Sequence, residues 1–181
     1  NFKKRMKTFL KKKLKETPFF YRRYTYFRLV GLSQLFINFL FQRIFFKHGE
    51  LFFSVNYTST VFFGKNIRFN KDSTTLISFA VSGHCYFQAV NGIHLGDNFL
   101  FAPGVKLISS NHDFKELNEA KKSPPIIIGN NVWLGANVII LPGVKIGDNC
   151  VVGAGSVVTK SFNEKGLVLV GNPAKVINRV V

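Results

Sequence analysis

An aliphatic side chain recurs at every sixth residue through the second half of the chain: Ile128, Leu134, Ile140, Ile146, Val152 and Val158. Four residues after the first five of these anchors stand Val132, Val138, Val144, Cys150 and Ser156, a second set of small or apolar positions. The residue after an anchor is often glycine, as at Gly64, Gly96, Gly129, Gly135, Gly147 and Gly153. An internal repeat constrains architecture more than local propensity does. A period of six fits neither the two-residue alternation of a strand nor the 3.6 residues of a helix turn. It fits a short strand followed by a sharp corner. Three such units close one triangular coil, and coils stacked on one another make a parallel β-helix. Anchors then point into the lumen, and Gly with Asn or Asp (Asp97-Asn98, Asn130-Asn131, Asp148-Asn149) turns the corner, in part through positive φ. The competing β-sandwich would need six consecutive matches by chance.

The same spacing extends toward the N-terminus through Phe63, Phe69, Thr75, Val81, Phe87 and Ile93. After a two-residue shift it resumes at Leu95, Phe101 and Leu107. About five coils are expected. One long break, residues 113–127 between His112 and Ile128, must leave the coil as an excursion loop, and long loops in compact domains tend to carry function. The expected organisation is therefore a helical segment over residues 1–50 and an all-β domain over residues 51–181 that carries the 113–127 loop.

Charge is concentrated in the first part. Residues 1–48 hold thirteen Lys/Arg against Glu16 alone, most of the net +16 of the 181-residue chain. They also hold thirteen aromatic residues, and Leu29, Leu32, Phe36, Phe39, Leu40 and Ile44 follow helical spacing. A basic, aromatic helix suits an anionic membrane surface, or its apolar side can cap the open first coil. Within this segment the longest uncharged run, Leu29 to Gln42, falls short of the roughly 20 residues needed to span a bilayer. No signal peptide is read. The first residue is Asn, so the native start is expected to lie elsewhere or to have been processed. Two cysteines, Cys85 and Cys150, make neither a disulfide framework nor a metal site, and both fall on inward positions.

The chain resembles the hexapeptide-repeat acyltransferases, in particular sugar O-acetyltransferases of the galactoside, maltose, capsule and O-antigen type. The resemblance rests on Gly96-Asp-Asn98, Ala102-Pro-Gly-Val105, Asn111-His-Asp113 and Pro124-Pro-Ile-Ile-Ile-Gly-Asn-Asn-Val-Trp-Leu-Gly-Ala136. It continues through Leu141-Pro-Gly-Val-Lys-Ile-Gly-Asp-Asn149, Gly153-Ala-Gly-Ser-Val-Val-Thr-Lys160 and Gly171-Asn-Pro-Ala-Lys175. It implies a left-handed parallel β-helix, a homotrimer and an acetyl-CoA-dependent O-acyltransferase that needs no metal. The implied acceptor is a sugar hydroxyl of a surface polysaccharide or its precursor, which could be lipid-linked. Cytoplasmic placement follows, peripheral to the inner face of a bacterial membrane and with membrane-surface contact through residues 1–48. Nucleic acid is not an expected partner.

Acyl transfer to a hydroxyl or amine needs a base near neutral pH, and histidine suits the task. His112 stands five residues after the anchor Leu107, an outward position directly before the loop, and it aligns with the family's catalytic histidine. Asp113 could orient His112 or begin the turn. By alignment, Ala136, Ala154, Thr159 and Lys160 fall on coenzyme-contacting positions, and Lys175 falls where a basic residue meets a phosphate. On the acceptor side the chain departs from the family: Ser82 aligns near its asparagine and Val90 near its acidic residue, with His84, Asn91 and His94 close by. Trp133 faces outward, and if the loop keeps the three faces in phase it forms an apolar column with Leu100 and Val151, the expected subunit contact. Three other readings stay open: a nucleotide-sugar or amino-sugar N-acetyltransferase, a non-catalytic β-helix, and a γ-type carbonic anhydrase using His84, His94 and His112 on a metal.

Overall fold

The protein was analysed as a computed structural model that describes residues 26–45, 51–70, 72–113 and 115–180. The other parts of the basic N-terminal segment, residues 1–25 and 46–50, lie outside the described residues. Three parallel sheets form the faces of a triangular β-helix. The first face stacks β1 (Thr60–Phe62), β3 (Tyr86–Gln88), β6 (Lys106–Ile108), β9 (Ile139–Ile140) and β12 (Val157–Val158). The second stacks β2 (Ile67–Arg68), β4 (Ile93–Leu95), β7 (Ile126–Ile128) and β10 (Lys145–Ile146). The third stacks β5 (Leu100–Phe101), β8 (Trp133–Leu134), β11 (Val151–Val152) and β13 (Leu167–Gly171), and ends in an antiparallel strand, β14 (Ala174–Arg179). Five strands on the first face mean five turns, the number expected from the repeat.

Every anchor from Ile128 to Val158 is at most 2% exposed, and so are Val132, Val138, Val144, Cys150 and Ser156. Successive anchors are register partners: Phe87 with Leu107, Leu107 with Ile140, Ile140 with Val158. The two-residue shift at Ile93–Leu95 is not a break in the coil. Both side chains of this three-residue strand point inward, pairing with Ile126 and Ile128.

Corners depend on local chemistry. Asn98, Asn131 and Asn149 stand one above another with φ of 54–56°, and their amides form a ladder: Asn98 Nδ2 donates to Asn131 Oδ1 (3.1 Å) and Asn131 Nδ2 to Asn149 Oδ1 (3.0 Å). Asparagine tolerates this left-handed backbone better than other residues with a Cβ.

The first coil differs from the spacing-based expectation. Its inward anchors are Val61 and Ile67, in register with Phe87 and Ile93. Phe63, expected inside, is 60% exposed and left-handed at φ 56°, Phe69 is half-buried, and Val81 is exposed. The cause is helix α2, covering residues Ser73–Val81, which replaces a strand on the third face. Asp72 caps it: its carboxylate accepts the Thr75 backbone N–H (3.0 Å) and hydroxyl (2.6 Å), as N-cap residues do. The helix also satisfies the sheet edge it covers. The Thr75 hydroxyl accepts the Phe99 N–H and the Ser78 hydroxyl the Phe101 N–H, where a strand would otherwise offer carbonyls. Phe79 closes the lumen from this helix, its ring centroid 5.2 Å from Phe87 and 5.0 Å from Phe101.

Below this coil lies α1 (Leu32–Phe39), continued by a π-helical turn (Leu40–Ile44). It caps the β-helix through buried polar side chains, whereas one of the two roles left open by the sequence was a cap formed by its apolar face. Asn38 Oδ1 accepts the Tyr57 N–H, and its Nδ2 donates to the Ala80 carbonyl (3.0 Å) and Ser54 Oγ (2.9 Å). Gln42 accepts the Val55 N–H and donates to the Phe53 carbonyl (3.0 Å). Side-chain amides thus bond the backbone of residues 53–57, which lies outside the parallel sheets.

Close stacking sets a test. A Cβ added at Gly96 would lie 2.5 Å from the Gly129 carbonyl carbon, whereas one at Gly155 meets nothing within 4 Å but has φ of 72°. Gly96→Ala is expected to cost about 1–3 kcal/mol from overpacking against backbone. Gly155→Ala should cost only about 1 kcal/mol, from left-handed strain. Thermal or urea melts of the two variants check this order.

Candidate active site

The excursion loop leaves the third coil after β6 and returns at β7. It folds back on itself as an antiparallel pair: His112 bridges Ala120, the Asp113 N–H donates to the Glu119 carbonyl (3.0 Å), and the Lys121 N–H to the Asn111 carbonyl (2.7 Å). Its base is knit by small polar residues. Ser109 and Ser110 are buried. Ser110 Oγ donates to the Lys121 carbonyl, Ser123 Oγ donates to the Ser109 carbonyl (2.8 Å), and Gln88 Oε1 accepts the Ser110 N–H. Asn91, from the coil below, donates through Nδ2 to the carbonyls of Ser109 (2.9 Å) and Lys121 (3.0 Å) and to Ser123 Oγ (3.0 Å). The sequence reading missed the Ser109–Ser110 pair. Its signal was two consecutive hydroxyls just before the break in register, where buried backbone needs partners without a ladder to supply them.

His112 is exposed, and its Nδ1 lies 2.6 Å from the Leu117 carbonyl oxygen. A carbonyl only accepts, so in the neutral ring Nδ1 carries the proton and Nε2 holds the lone pair. The loop therefore presents an imidazole with a fixed tautomer and a free basic nitrogen. Asp113 does not orient it: its carboxylate Oδ1 accepts the Lys115 N–H (2.8 Å), so Asp113 shapes the turn.

The proposed acceptor-side residues separate. Ser82 is buried, and its hydroxyl donates to the Phe101 carbonyl at 2.7 Å, so it serves the core and offers nothing to a ligand. His84 turns the corner between the third and first faces, exposed and left-handed, its N–H donating to Thr58 Oγ1. Asn91 stands at the next corner, against the loop. His94 points outward on β4 with Arg68 as its register partner. A pocket of about 320 Å³ lies here, lined in part by Arg68, Val90, Asn91, His94 and Pro125. Among the described residues no group of three His, Cys, Asp or Glu is arranged to hold a metal, so the trio His84, His94 and His112 does not assemble one.

The residues aligned with coenzyme contacts lie on two corners and one edge. Ala136 and Ala154 stack at the corner between the third and first faces, where the Gly155 N–H donates to the Ala136 carbonyl. The backbone is bare there because Gly135 leaves no room for a side chain: its Cβ would lie 2.6 Å from the Ala154 nitrogen. Thr159 and Lys160 are exposed at the corner after β12, with the Lys160 ammonium 5.7 Å from the Phe162 ring centroid. Lys175 is exposed on β14. Leu100, Trp133 and Val151 do share one outward column, as register partners, joined by Val168. Cys85 and Cys150 are both buried and free; burial pushes the Cys85 thiol up, which keeps it protonated and inert.

Residues 125–160 match the family described as the hexapeptide repeat of succinyl-transferase. The chain is 40% identical over 128 residues to the galactoside O-acetyltransferase of Escherichia coli K12, covering 69% of this chain and 57% of that protein. A maltose O-acetyltransferase from Clostridium difficile 630 superposes with a TM-score of 0.50 at 37% identity, over 65% of each chain. A hexapeptide-repeat acetyltransferase from Vibrio cholerae, solved with acetyl coenzyme A, gives a TM-score of 0.52 at 28% identity, over 68% of this chain and 65% of its own. The chain spans 57–59% of the length of such curated relatives. The repeat, the three-sided coil and these likenesses agree: residues 125–160 carry the hexapeptide repeat, and the chain folds as a left-handed β-helix similar to that of the sugar O-acetyltransferases it matches.

Proposed function

We propose that this protein transfers an acetyl group from acetyl-CoA to a hydroxyl of a saccharide, with His112 as general base. The observation that carries the reading is the His112 ring, exposed on its loop with Nδ1 engaged by the Leu117 carbonyl. In this mechanism Nε2 removes the proton of an acceptor hydroxyl as its oxygen attacks the thioester carbonyl. The tetrahedral adduct collapses by breaking the carbon–sulfur bond, and the proton passes from Nε2 to the departing coenzyme thiolate. The base is thereby restored, and the Leu117 carbonyl holds the ring as it becomes an imidazolium. The acceptor we favour is a surface polysaccharide or its precursor, acylated at the cytoplasmic side of a bacterial membrane. The pocket beside Asn91 and His94 is where we would seat it.

Coenzyme binding argues for more than one subunit. Ala136 and Ala154 lie at one corner of the triangle and Thr159 and Lys160 at another, one face apart. A coenzyme that touches both sets is readily accommodated when a neighbouring copy brings its own corner alongside. The column Leu100, Trp133, Val151 and Val168 is the apolar surface such a neighbour would cover, and Leu100 and Trp133 are 45% and 49% exposed in the single chain. The assembly we propose is a homotrimer, the state the resemblance implies.

Three outcomes are expected. With acetyl-CoA and a panel of saccharides, mass spectrometry should find an O-acetylated product, and His112→Ala should lower turnover roughly 10²-fold or more with coenzyme affinity nearly unchanged. Turnover near that of the parent would remove His112 from the mechanism. Light scattering should give about three times the 20.5 kDa chain mass, and Trp133→Glu should shift it toward one copy, since a buried unpaired carboxylate opposes association. Asn91→Ala frees three hydrogen-bonded groups at the loop base, so tryptic cleavage after Lys121 or Lys122 should accelerate by about tenfold, the factor a loss of roughly 1.4 kcal/mol gives.

A further inference from the structure

Helix α1 is turned the opposite way from an ordinary surface helix. Its inward residues, Asn38 and Gln42, are polar and buried, each holding backbone groups of the segment beneath. Apart from Ser33, its exposed residues are apolar. Leu32, Phe36 and Phe39 fall at i, i+4 and i+7, on one stripe, and are 75%, 65% and 56% exposed. Leu29, on the helical turn before Gly31, and Phe45, at the far end, are exposed as well. A helix at a protein surface normally points its apolar stripe inward. The inward polar face is explained by its bonds to residues 53–57 and Ala80; nothing among the described residues covers the outward one.

The charge around the stripe indicates the occupant. Residues 26–45 contain Arg28 and Arg43 and no acid, and residues 1–25 hold ten Lys/Arg against Glu16 alone. An apolar stripe on a stretch of sequence so rich in Lys and Arg and so poor in acids matches the two layers of an anionic bilayer surface. Leucine and aromatic side chains enter the acyl boundary, and Lys and Arg meet the headgroups. A second copy is a poor occupant, because it would bring two strongly basic segments together. No described helix is long and apolar enough to cross a membrane, so the contact is one that lies in the interface plane.

We propose that α1 docks flat on an anionic phospholipid surface, with Leu32, Phe36 and Phe39 entering the interface and the chain's excess of positive charge drawing it to the headgroups. This surface is independent of acyl transfer.

The test is co-sedimentation of the full chain with phosphatidylcholine vesicles, with and without phosphatidylglycerol. The protein should bind the phosphatidylglycerol vesicles at low salt and release as salt rises. The double variant Leu32→Ser, Phe36→Ser changes only exposed side chains and should bind about tenfold more weakly or less, with its melting temperature and light-scattering mass unchanged. A separate variant, Phe36→Trp, should show a blue-shifted indole emission on the vesicles. Absence of binding to anionic vesicles at low salt would overturn the proposal and leave the stripe to an acidic protein partner. It would equally be overturned by salt-sensitive binding that ignores the double substitution, or by an emission of the Phe36→Trp variant that stays at its aqueous position on sedimented protein. A drop in oligomeric mass in the double variant would assign the stripe to another copy of the chain and overturn it as well.

Discussion

Backbone stacked directly on backbone at the corners is the constraint on which the rest of the molecule depends. Successive parallel strands lie roughly 4.8 Å apart, and the corners must keep that spacing without the relief a longer turn would give. At Gly96 and Gly135 the coil above comes so near that a single methyl group has no room. At the Gly96 corner the left-handed Asn98, Asn131 and Asn149 turn the chain and at the same time bond to one another along the axis. Once corners are fixed at this spacing, the lumen has one width, and each coil must supply inward side chains that fill it. The aliphatic anchors are the consequence, and the register partners among them show that each layer rests on the last.

Such a stack has two ends, and each needs a different solution. At the C-terminal end β14 adds an antiparallel strand beside β13 on the third face, so the sheet edge there is a hairpin. At the N-terminal end the third face stops at β5, and the hydroxyls of Thr75 and Ser78 on α2 take the place of a missing strand's carbonyls. Helix α1 extends the same device with the amides of Asn38 and Gln42. The polar side chains of both helices are spent on backbone, which is why the apolar side of α1 is left facing out. Its exposed stripe is thus a direct result of how the β-helix is closed.

The loop that carries His112 obeys related rules. It departs from a corner, where an insertion disturbs no strand pairing, and β4 and β7 remain in register across it. Buried serines and Asn91 hold its two arms where they leave the coil. The imidazole then needs only one partner, the Leu117 carbonyl, to present a defined nitrogen to solvent. The rigidity of the site comes from the coil, and the loop adds reach.

Residues 92–158 were legible from the sequence because each six-residue unit contacts its neighbours in one way, so a period in the chain becomes a layer in space. The anchors, the inward cysteines, the excursion at 113–127 and the column Leu100, Trp133, Val151 all follow from counting in sixes. The count misled before residue 82, where the spacing persists through Phe63, Phe69, Thr75 and Val81 although a capped helix has replaced a strand. Periodicity cannot tell which of two backbones carries a side chain inward, and Asp72 was the local signal that a helix begins. The alignment also could not separate Ser82, consumed by a core hydrogen bond, from Asn91, which ties the loop. Whether Asp113 or a backbone carbonyl steadies His112, and which side of α1 faces the coil, were decided only by tertiary structure. Both depend on where an unpaired backbone group happens to lie within reach, and that is a property of three-dimensional packing which no spacing along the chain encodes.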